Sequence, residues 1–417
     1  MKPIVLRFVV VALACAGALV VISNRRTPQA STKADDFAAL YSALGIASPV
    51  QGSAGGAQEK PVEQVEKNIK VLNGMPASQI IPVMNYFSAS MGRRCNFCHV
   101  NNNGQWDYPA DTKPEKNTAR EMIKMVLDVN KNSFKGEPQV GCYTCHRGRN
   151  NPQSVPTLPL PLPSPPPGGQ GGGGGGGGTA GAQPQGSPTP RPTPIPADDI
   201  INKYIAAIGG QAAIDKVRTR TMRGTIVGAN GQTFTYESAQ SGPDKAYEMF
   251  KSGQGTMERA VSGSTGWEKN PQGVHELTGG QFTQIKQQSS LFRNLRLKEQ
   301  YTRMRVVGRD KVGDRDAIVI VAATPDNQQE RLYFDVENGL LLRRMTFLRT
   351  MVGVIPQQAD FLDYRDVDGV KFPFTIVTSS INVGSPISTT KLDEIKLNLE
   401  VDDSRFKMPA PTPPANH

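Results

Sequence analysis

The sequence predicts a multidomain chain: a mainly α unit, a disordered linker, and then an α+β domain built on a long antiparallel sheet curled as a half-barrel. Three observations predict it. Apolar residues recur at helical spacing ahead of each of two Cys-x-x-Cys-His motifs, Cys95–His99 and Cys142–His146. Residues 151–196 are dominated by proline and glycine and cannot bury a core. Beyond them a single helical pattern leads into short β-rich or alternating runs separated by turn signals.

The 417 residues allow two or three domains. The net charge is +10, yet there is no zinc-finger spacing and no Lys/Arg stripe interleaved with aromatics, so no nucleic-acid partner is expected. The excess suits a basic soluble surface, an acidic protein partner or an anionic membrane. At the N-terminus Lys2 and Arg7 precede an apolar run from Phe8 to Ile22. Residues 1–23 therefore read as a signal peptide or a membrane anchor, which implies an extracytoplasmic, periplasmic location. Both readings stay open. No small-x-small cleavage site follows Ile22, and the run is borderline against the roughly 17–25 residues of a membrane helix. Cys15 follows Ala12-Leu13-Ala14, which is out of register for a lipoprotein signal. Residues 24–60 read as a flexible segment.

Of the five cysteines, four sit in the two motifs. Cys-x-x-Cys-His is the attachment pattern of c-type haem. Two thiols add to two vinyl groups on one edge of the macrocycle, and the next residue, a histidine, meets the iron. Cys95 and Cys98, then Cys142 and Cys145, would hold two covalently bound haem c groups, with His99 and His146 as proximal iron ligands. A redox disulfide or a four-cysteine zinc ribbon is the competing reading. The histidine after each pair and the preceding export signal weigh against it.

Histidine is scarce, with only His275 and His417 besides the two proximal ligands, and both lie beyond the linker. A sixth ligand would then be methionine. The region offers Met75, Met84, Met91, Met122 and Met125. Ile80, Ile81, Met84, Phe87 and Met91 follow helical spacing over Ala77–Met91, with Pro82 tolerated in the first turn and a reversal at Gly92. Met91 lies too close to the attachment loop to reach the far face of the iron. A second helix over Pro114–Lys131, capped by Asp111 or Thr112, turns Met122 and Met125 toward its apolar face. His/Met ligation raises the reduction potential relative to bis-histidine. It also fills both axial positions, which favours electron transfer over catalysis and leaves no catalytic residues to name.

From Lys67 to Arg149 the chain resembles the cytochrome c subunit of photosynthetic reaction centres. The matching features are Asn73-Gly74-Met75-Pro76, the stretch Met84 to His99 with Ser88, Ser90 and Gly92, the helix bearing Ala119, Arg120, Met122 and Met125, and Cys142-Tyr143-Thr144-Cys145-His146-Arg147-Gly148. The resemblance implies a dihaem cytochrome c domain over 61–150, one half of a four-haem arrangement. It implies Met84 as sixth ligand of the first haem and Met122 of the second, with Met125 as fallback. It further implies redox partner proteins, either a membrane-bound reaction centre or a respiratory complex.

In the second half, Asp198 or Asp199 would cap a helix that stops at Gly209-Gly210. Nine strands are expected: Arg220–Val227, Thr233–Gln240, Lys245–Phe250, Arg303–Val307, Ala317–Ala322, Arg331–Asp335, Leu340–Leu348, Asp360–Tyr364 and Phe372–Ser379. A further helix is expected within Leu277–Leu297. This 197–409 domain, followed by a tail at 410–417, resembles periplasmic lipoprotein-carrier half-barrels, carried by the stretch Asp363 to Pro373. The resemblance implies an apolar ligand or a docking partner. His275 reads as a surface residue without an evident partner. Two further readings are a dihaem peroxidase or reductase with one open iron site, and a lipid or lipoprotein binder with accessory haems.

Overall fold

The computed structural model describes residues 59–153, 195–228, 231–253, 255–271, 273–381 and 387–410. The expected signal or anchor with Cys15, nearly all of the flexible segment, most of the linker, and His417 with the tail from 411 lie outside the described residues. Among the described residues no helix is long and apolar enough to cross a membrane.

Helix α1 (Ile80–Met91) follows a single 3₁₀ turn at Ala77–Gln79. Pro82 falls in its first turn, where a missing N–H has no helical partner to lose. The helix ends at Gly92, which takes a left-handed φ of 62° and reverses the chain into the first motif. After His99 a short hairpin pairs β1 (Val100–Asn102) with β2 (Gln105–Asp107). Helix α2 (Pro114–Ser133) starts with proline at its first position. Its N-terminal flank is Lys113 with no side-chain cap, rather than the expected Asp111 or Thr112. The Asp111 carboxylate is instead taken by Lys70 (2.7 Å), Arg120 (2.9 Å) and Lys116 (3.2 Å). Buried Asn130 then pins the returning loop, donating to Val140 O at 2.7 Å and accepting from Val140 N at 2.9 Å. That loop delivers the second motif, which forms the one-turn helix α3 (Cys142–His146).

The remainder is one open antiparallel sheet of 13 strands, in the order β8-β7-β6-β5-β4-β3-β15-β14-β13-β12-β11-β10-β9. Helix α4 (Ala197–Ala207) precedes it. Pro196 flanks that helix, and Asp198 and Asp199 sit within its first turn, where negative charge complements the helix dipole rather than capping it. A short helix α5 (Gln211–Ile214) leads into the sheet. All nine expected strands are present. They are β3 (Thr219–Gly228), β4 (Thr233–Ser241), β5 (Lys245–Ser252), β9 (Arg303–Val312), β10 (Arg315–Ala323), β11 (Gln329–Asp335), β12 (Leu341–Thr350), β13 (Gly353–Val367) and β14 (Val370–Ser379). Four more were not expected: β6 (Gly255–Ser262), β7 (Thr265–Asn270), β8 (Gly273–Glu276) and β15 (Ile387–Leu397). The last closes the gap between β14 and β3, so the two ends of the domain share one sheet. Helix α6 (Gly279–Ser289) forms within the stretch where one helix was expected, and α7 (Leu297–Gln300) begins at its last residue. Tyr204, Ile285, Leu295 and Leu297 from this helical layer share a buried core with Phe234, Phe250 and Phe334 from the sheet.

His275 needs correcting. It lies opposite Glu268 in the β7–β8 pairing, with Nε2 3.4 Å from Glu268 Oε1. Glu268 is fully buried, and burial pushes its carboxyl above the usual range while His275 pulls it back.

The two halves share a core. The tip of the β12–β13 hairpin, with Val352 at 0% and Ile355 at 2% exposure, packs in one cluster with Val62, Leu72, Met75 and Val83. Arg349 beside that tip pairs with Glu137.

Candidate haem sites

The two motifs are brought against each other. A cleft of about 440 Å³ is lined by Phe97 and Cys98 of the first motif and by Cys142 and His146 of the second. Met122 of α2 and Met91 of α1 line it too. Its walls are otherwise largely apolar, with Phe87, Ala119 and Ile123.

The close approach has a backbone cause. Gly148 N donates to Ser90 O at 2.8 Å. A Cβ on Gly92 would sit 2.3 Å from Gly148 O, so only glycine lets the two turns cross. Tyr86 of α1 fills the space behind. Its hydroxyl accepts from Tyr143 N at 3.3 Å, and a Cβ on Gly141 would lie 2.3 Å from it. Burial raises the Tyr86 phenol, so it stays protonated.

Both motif histidines are oriented alike. His99 Nδ1 lies 3.1 Å from Tyr108 O, and His146 Nδ1 lies 3.0 Å from Arg149 O. A carbonyl can only accept, so in each ring Nδ1 is the donor, and Nε2 is the nitrogen left to face a metal when the ring is neutral. The Tyr108 ring also packs edge-on against His99, with centroids 5.2 Å apart. Burial, the largest cause, together with the cations Lys116, Arg120 and Lys113, holds His99 below its ordinary value; the Tyr108 hydrogen bond opposes them only in part. The neutral ring is the one that binds metal. Lys116 braces the same carbonyl, donating to Tyr108 O at 2.8 Å.

The thiols are separate and unpaired: Cys95 and Cys145 are exposed, Cys98 and Cys142 half-buried. Burial pushes the Cys142 thiol up to about 11 and raises Cys98. Among the described residues no three His, Cys, Asp or Glu side chains converge as a metal cluster, which the zinc-ribbon alternative would require.

The expected sixth ligands divide. Met122 shares its cleft with Cys142 and His146. The fallback, Met125, is 46% exposed. Met84 packs on the core shared with Val352 and Ile355 and, like His99, lines neither this cleft nor a second one beside the first motif. That second cleft, of about 570 Å³, is lined by Arg93, Arg94, Asn96, Phe97 and Lys113. Met75 is buried in the shared core at 1% exposure.

A thiol, an imidazole with a free Nε2 and a thioether on one apolar cleft fit a c-type haem at the second motif. Residues 29–160 match the family model described as photosynthetic reaction centre cytochrome C subunit. The resemblance drawn from the motifs therefore holds for this part of the chain. Cytochrome c-554 of Chloroflexus aurantiacus is 37% identical over 90 residues, covering 20% of this chain and 21% of that protein. The photosynthetic reaction center cytochrome c subunit of Rubrivivax gelatinosus is 29% identical over 116 residues, covering 26% of this chain and 29% of that protein. The chain thus spans less than a third of the length of either of these curated relatives. Among solved structures, a DUF1329 family protein from Desulfovibrio piger aligns with a TM-score of 0.40 at 11% identity, over 51% of this chain and 97% of its own. A LolA superfamily protein from Nitrosomonas europaea aligns at 0.38 and 12%, over 51% and 98%.

Tyr108, Lys116 and Tyr86 were not legible as site residues. Tyr108 contributes a main-chain carbonyl, which every residue has, and Tyr86 reads as one more helix-face aromatic. The one sequence signal was the glycine pair Gly92, directly beyond α1, and Gly148, two residues beyond α3.

Proposed function

We propose that this chain is an extracytoplasmic dihaem c-type cytochrome that carries electrons between protein partners. The observation that carries the reading is the shared orientation of His99 and His146. Each is held by Nδ1 on a main-chain carbonyl, so each offers Nε2. A metal-binding histidine is oriented through its second nitrogen in this way. Cys95 and Cys98, and Cys142 and Cys145, would anchor one haem each. Met122 would supply the second iron's sixth ligand. A bound haem contributes one-electron chemistry at its iron. The chain's own residues attach it, orient its ligands and line its edge with apolar side chains. Both motifs line one cleft, which supports transfer between two adjacent haems. Arg93, Arg94 and Lys113 on the neighbouring cleft would meet carboxylates, whether haem propionates or an acidic partner. The relatives' names support a reaction-centre partner.

Pyridine-haemochrome quantitation of the purified protein, with mass spectrometry of its peptides, tests this. Two haems per chain are expected; one or none sinks the proposal.

Met84 would supply the first iron's sixth ligand, as the resemblance implies. The second reading, a dihaem peroxidase or reductase, would instead leave that position open. Magnetic circular dichroism separates the two. Two methionine-ligated low-spin haems favour the carrier, and one high-spin haem favours the enzyme.

A further inference from the structure

The inner face of the large sheet lines a third cavity, of about 250 Å³, which shares no lining residue with the two clefts at the motifs. Met222, Ile226, Phe361, Leu392 and Ile395 give it apolar walls. It also holds four arginines, Arg220, Arg259, Arg293 and Arg344. Their partners are two glutamates. Glu248 Oε2 accepts from Arg259 Nε (2.8 Å) and Nη2 (2.6 Å), and Glu248 Oε1 accepts from the Tyr236 hydroxyl at 3.0 Å. Glu330 takes Arg293 at 3.1 Å, Arg344 at 3.6 Å and the Tyr301 hydroxyl at 2.6 Å. Both carboxylates are therefore paired, and with Lys371 also on the lining three positive charges are left over.

The surplus has an address. Arg220 makes no ion pair with any described carboxylate. Its Nε donates to Gln240 Oε1 at 2.7 Å, and Gln240 is itself fixed by donating to Ser289 O at 2.6 Å. The guanidinium lies over the Phe372 ring, 5.2 Å from its centroid. One edge of Arg220 is thus locked in place while its terminal nitrogens have no carboxylate. Arg259, 3% exposed, also keeps Nη1 without a partner. Taking a cation out of water without a counter-ion is costly, and a fixed guanidinium fork matches a carboxylate or phosphate. Burial lowers the Arg220 guanidinium to about 10, which leaves it charged at neutral pH.

We propose that this cavity binds a small amphiphile carrying one anionic group, with Arg220 receiving the anion and the sheet's apolar side chains covering a short hydrocarbon tail. At about 250 Å³ the cavity falls just below the roughly 300–1,000 Å³ of ligand clefts, which restricts the tail to a short one. The inference is independent of the haem reading.

Calorimetric titration of the full haem-loaded protein tests it with four probes: octanoate, octyl phosphate, 1-octanol and inorganic phosphate. Octanoate and octyl phosphate should bind one per chain, at least tenfold tighter than octanol. Arg220→Gln should abolish that preference while leaving octanol binding unchanged, and Arg220→Lys should keep part of it. Octanol binding as tightly as octanoate, or no binding by any probe, overturns the proposal. So does an unchanged preference in Arg220→Gln. Inorganic phosphate binding as tightly as octyl phosphate overturns the amphiphile in favour of a free anion. The preference of the unmutated protein is decisive even if Arg220→Gln fails to fold.

Discussion

Gly148 donates its N–H to Ser90 O at 2.8 Å, tying the turn after the second Cys-x-x-Cys-His motif to the helix that leads into the first. The bond sits where Gly92 and Gly148 cross, so the spacing of the two motifs is set by main chain rather than by side-chain packing.

Gly92→Ala attacks that crossing. The new Cβ would lie 2.3 Å from Gly148 O at a residue whose φ is 62°. A left-handed alanine alone costs on the order of 1–3 kcal/mol, and the contact adds to it. Thermal unfolding followed by far-UV circular dichroism should show a lower Tm. Gly74→Ala is the control, because its added Cβ meets nothing within 4 Å although φ is also positive, at 81°. It should lose the backbone part only.

Met122 and Met125 should separate cleanly. Met122→His would replace thioether by imidazole and lower the potential of one haem only. The shift should be on the order of a tenth or more of the roughly 0.8 V that axial ligands span. Met125→Leu, at an exposed position, should leave both potentials where they were. Spectroelectrochemical titration reads both. A shift in Met125→Leu with none in Met122→His would move the ligand to the fallback.

How much of this was legible depends on what carried the signal. The motifs, α1, α2 and the stop at Gly92 were readable because helical period and glycine punctuation are local. Strands β3 to β5 and β9 to β14 carried alternation or β-rich runs. β6 and β7 did not: Arg259 and Glu268 point inward and are paired there, so the apolar pattern is broken by residues that look exposed. The predicted caps failed for a related reason. Asp111 pairs with Lys70 from an earlier segment and with Lys116 and Arg120 of α2 itself instead of with the backbone beside it. Nothing local marks Val352 and Ile355 as part of the cytochrome core, since their partners are Val62 and Leu72.

Asp111 gives a pH dependence. Hydrogen bonds from Arg120, then Lys70 and Asn68, hold its carboxyl far below the ordinary value of 3.8. A depressed carboxyl contributes stability that is complete above the unfolded value and is lost as pH falls toward the folded one. The Tm difference between the unmutated protein and Asp111→Asn should therefore be flat from pH 7 to about 4 and shrink below that. The group is solvent-facing, so salt should reduce the difference. A difference that grows on acidification contradicts this account.

The shared core makes a last prediction about how the halves unfold. Ile355 and Val352 sit at the tip of the β12–β13 hairpin, yet their apolar neighbours are Val62, Leu72, Met75 and Val83. Tyr86 closes the same contact, since a Cβ on Gly353 would lie 2.6 Å from its hydroxyl. Burying an isoleucine at 2% exposure across two parts of a chain couples their unfolding. Ile355→Ala removes that burial and leaves a cavity, at a cost of about 2–5 kcal/mol. The strands flanking the hairpin keep their ladder, so the large sheet should survive. With haem bound, the Soret band reports the cytochrome part, and the far-UV β signal is dominated by the 13-stranded sheet. In the unmutated protein the two melting curves should coincide. In Ile355→Ala the Soret transition should move to lower temperature and separate from the sheet. Arg349→Ala, which removes only the exposed pair with Glu137, should leave them together, because such pairs contribute about 0–1 kcal/mol. Coincident curves in Ile355→Ala at an unchanged Tm would mean that the hairpin tip does not hold the two parts together.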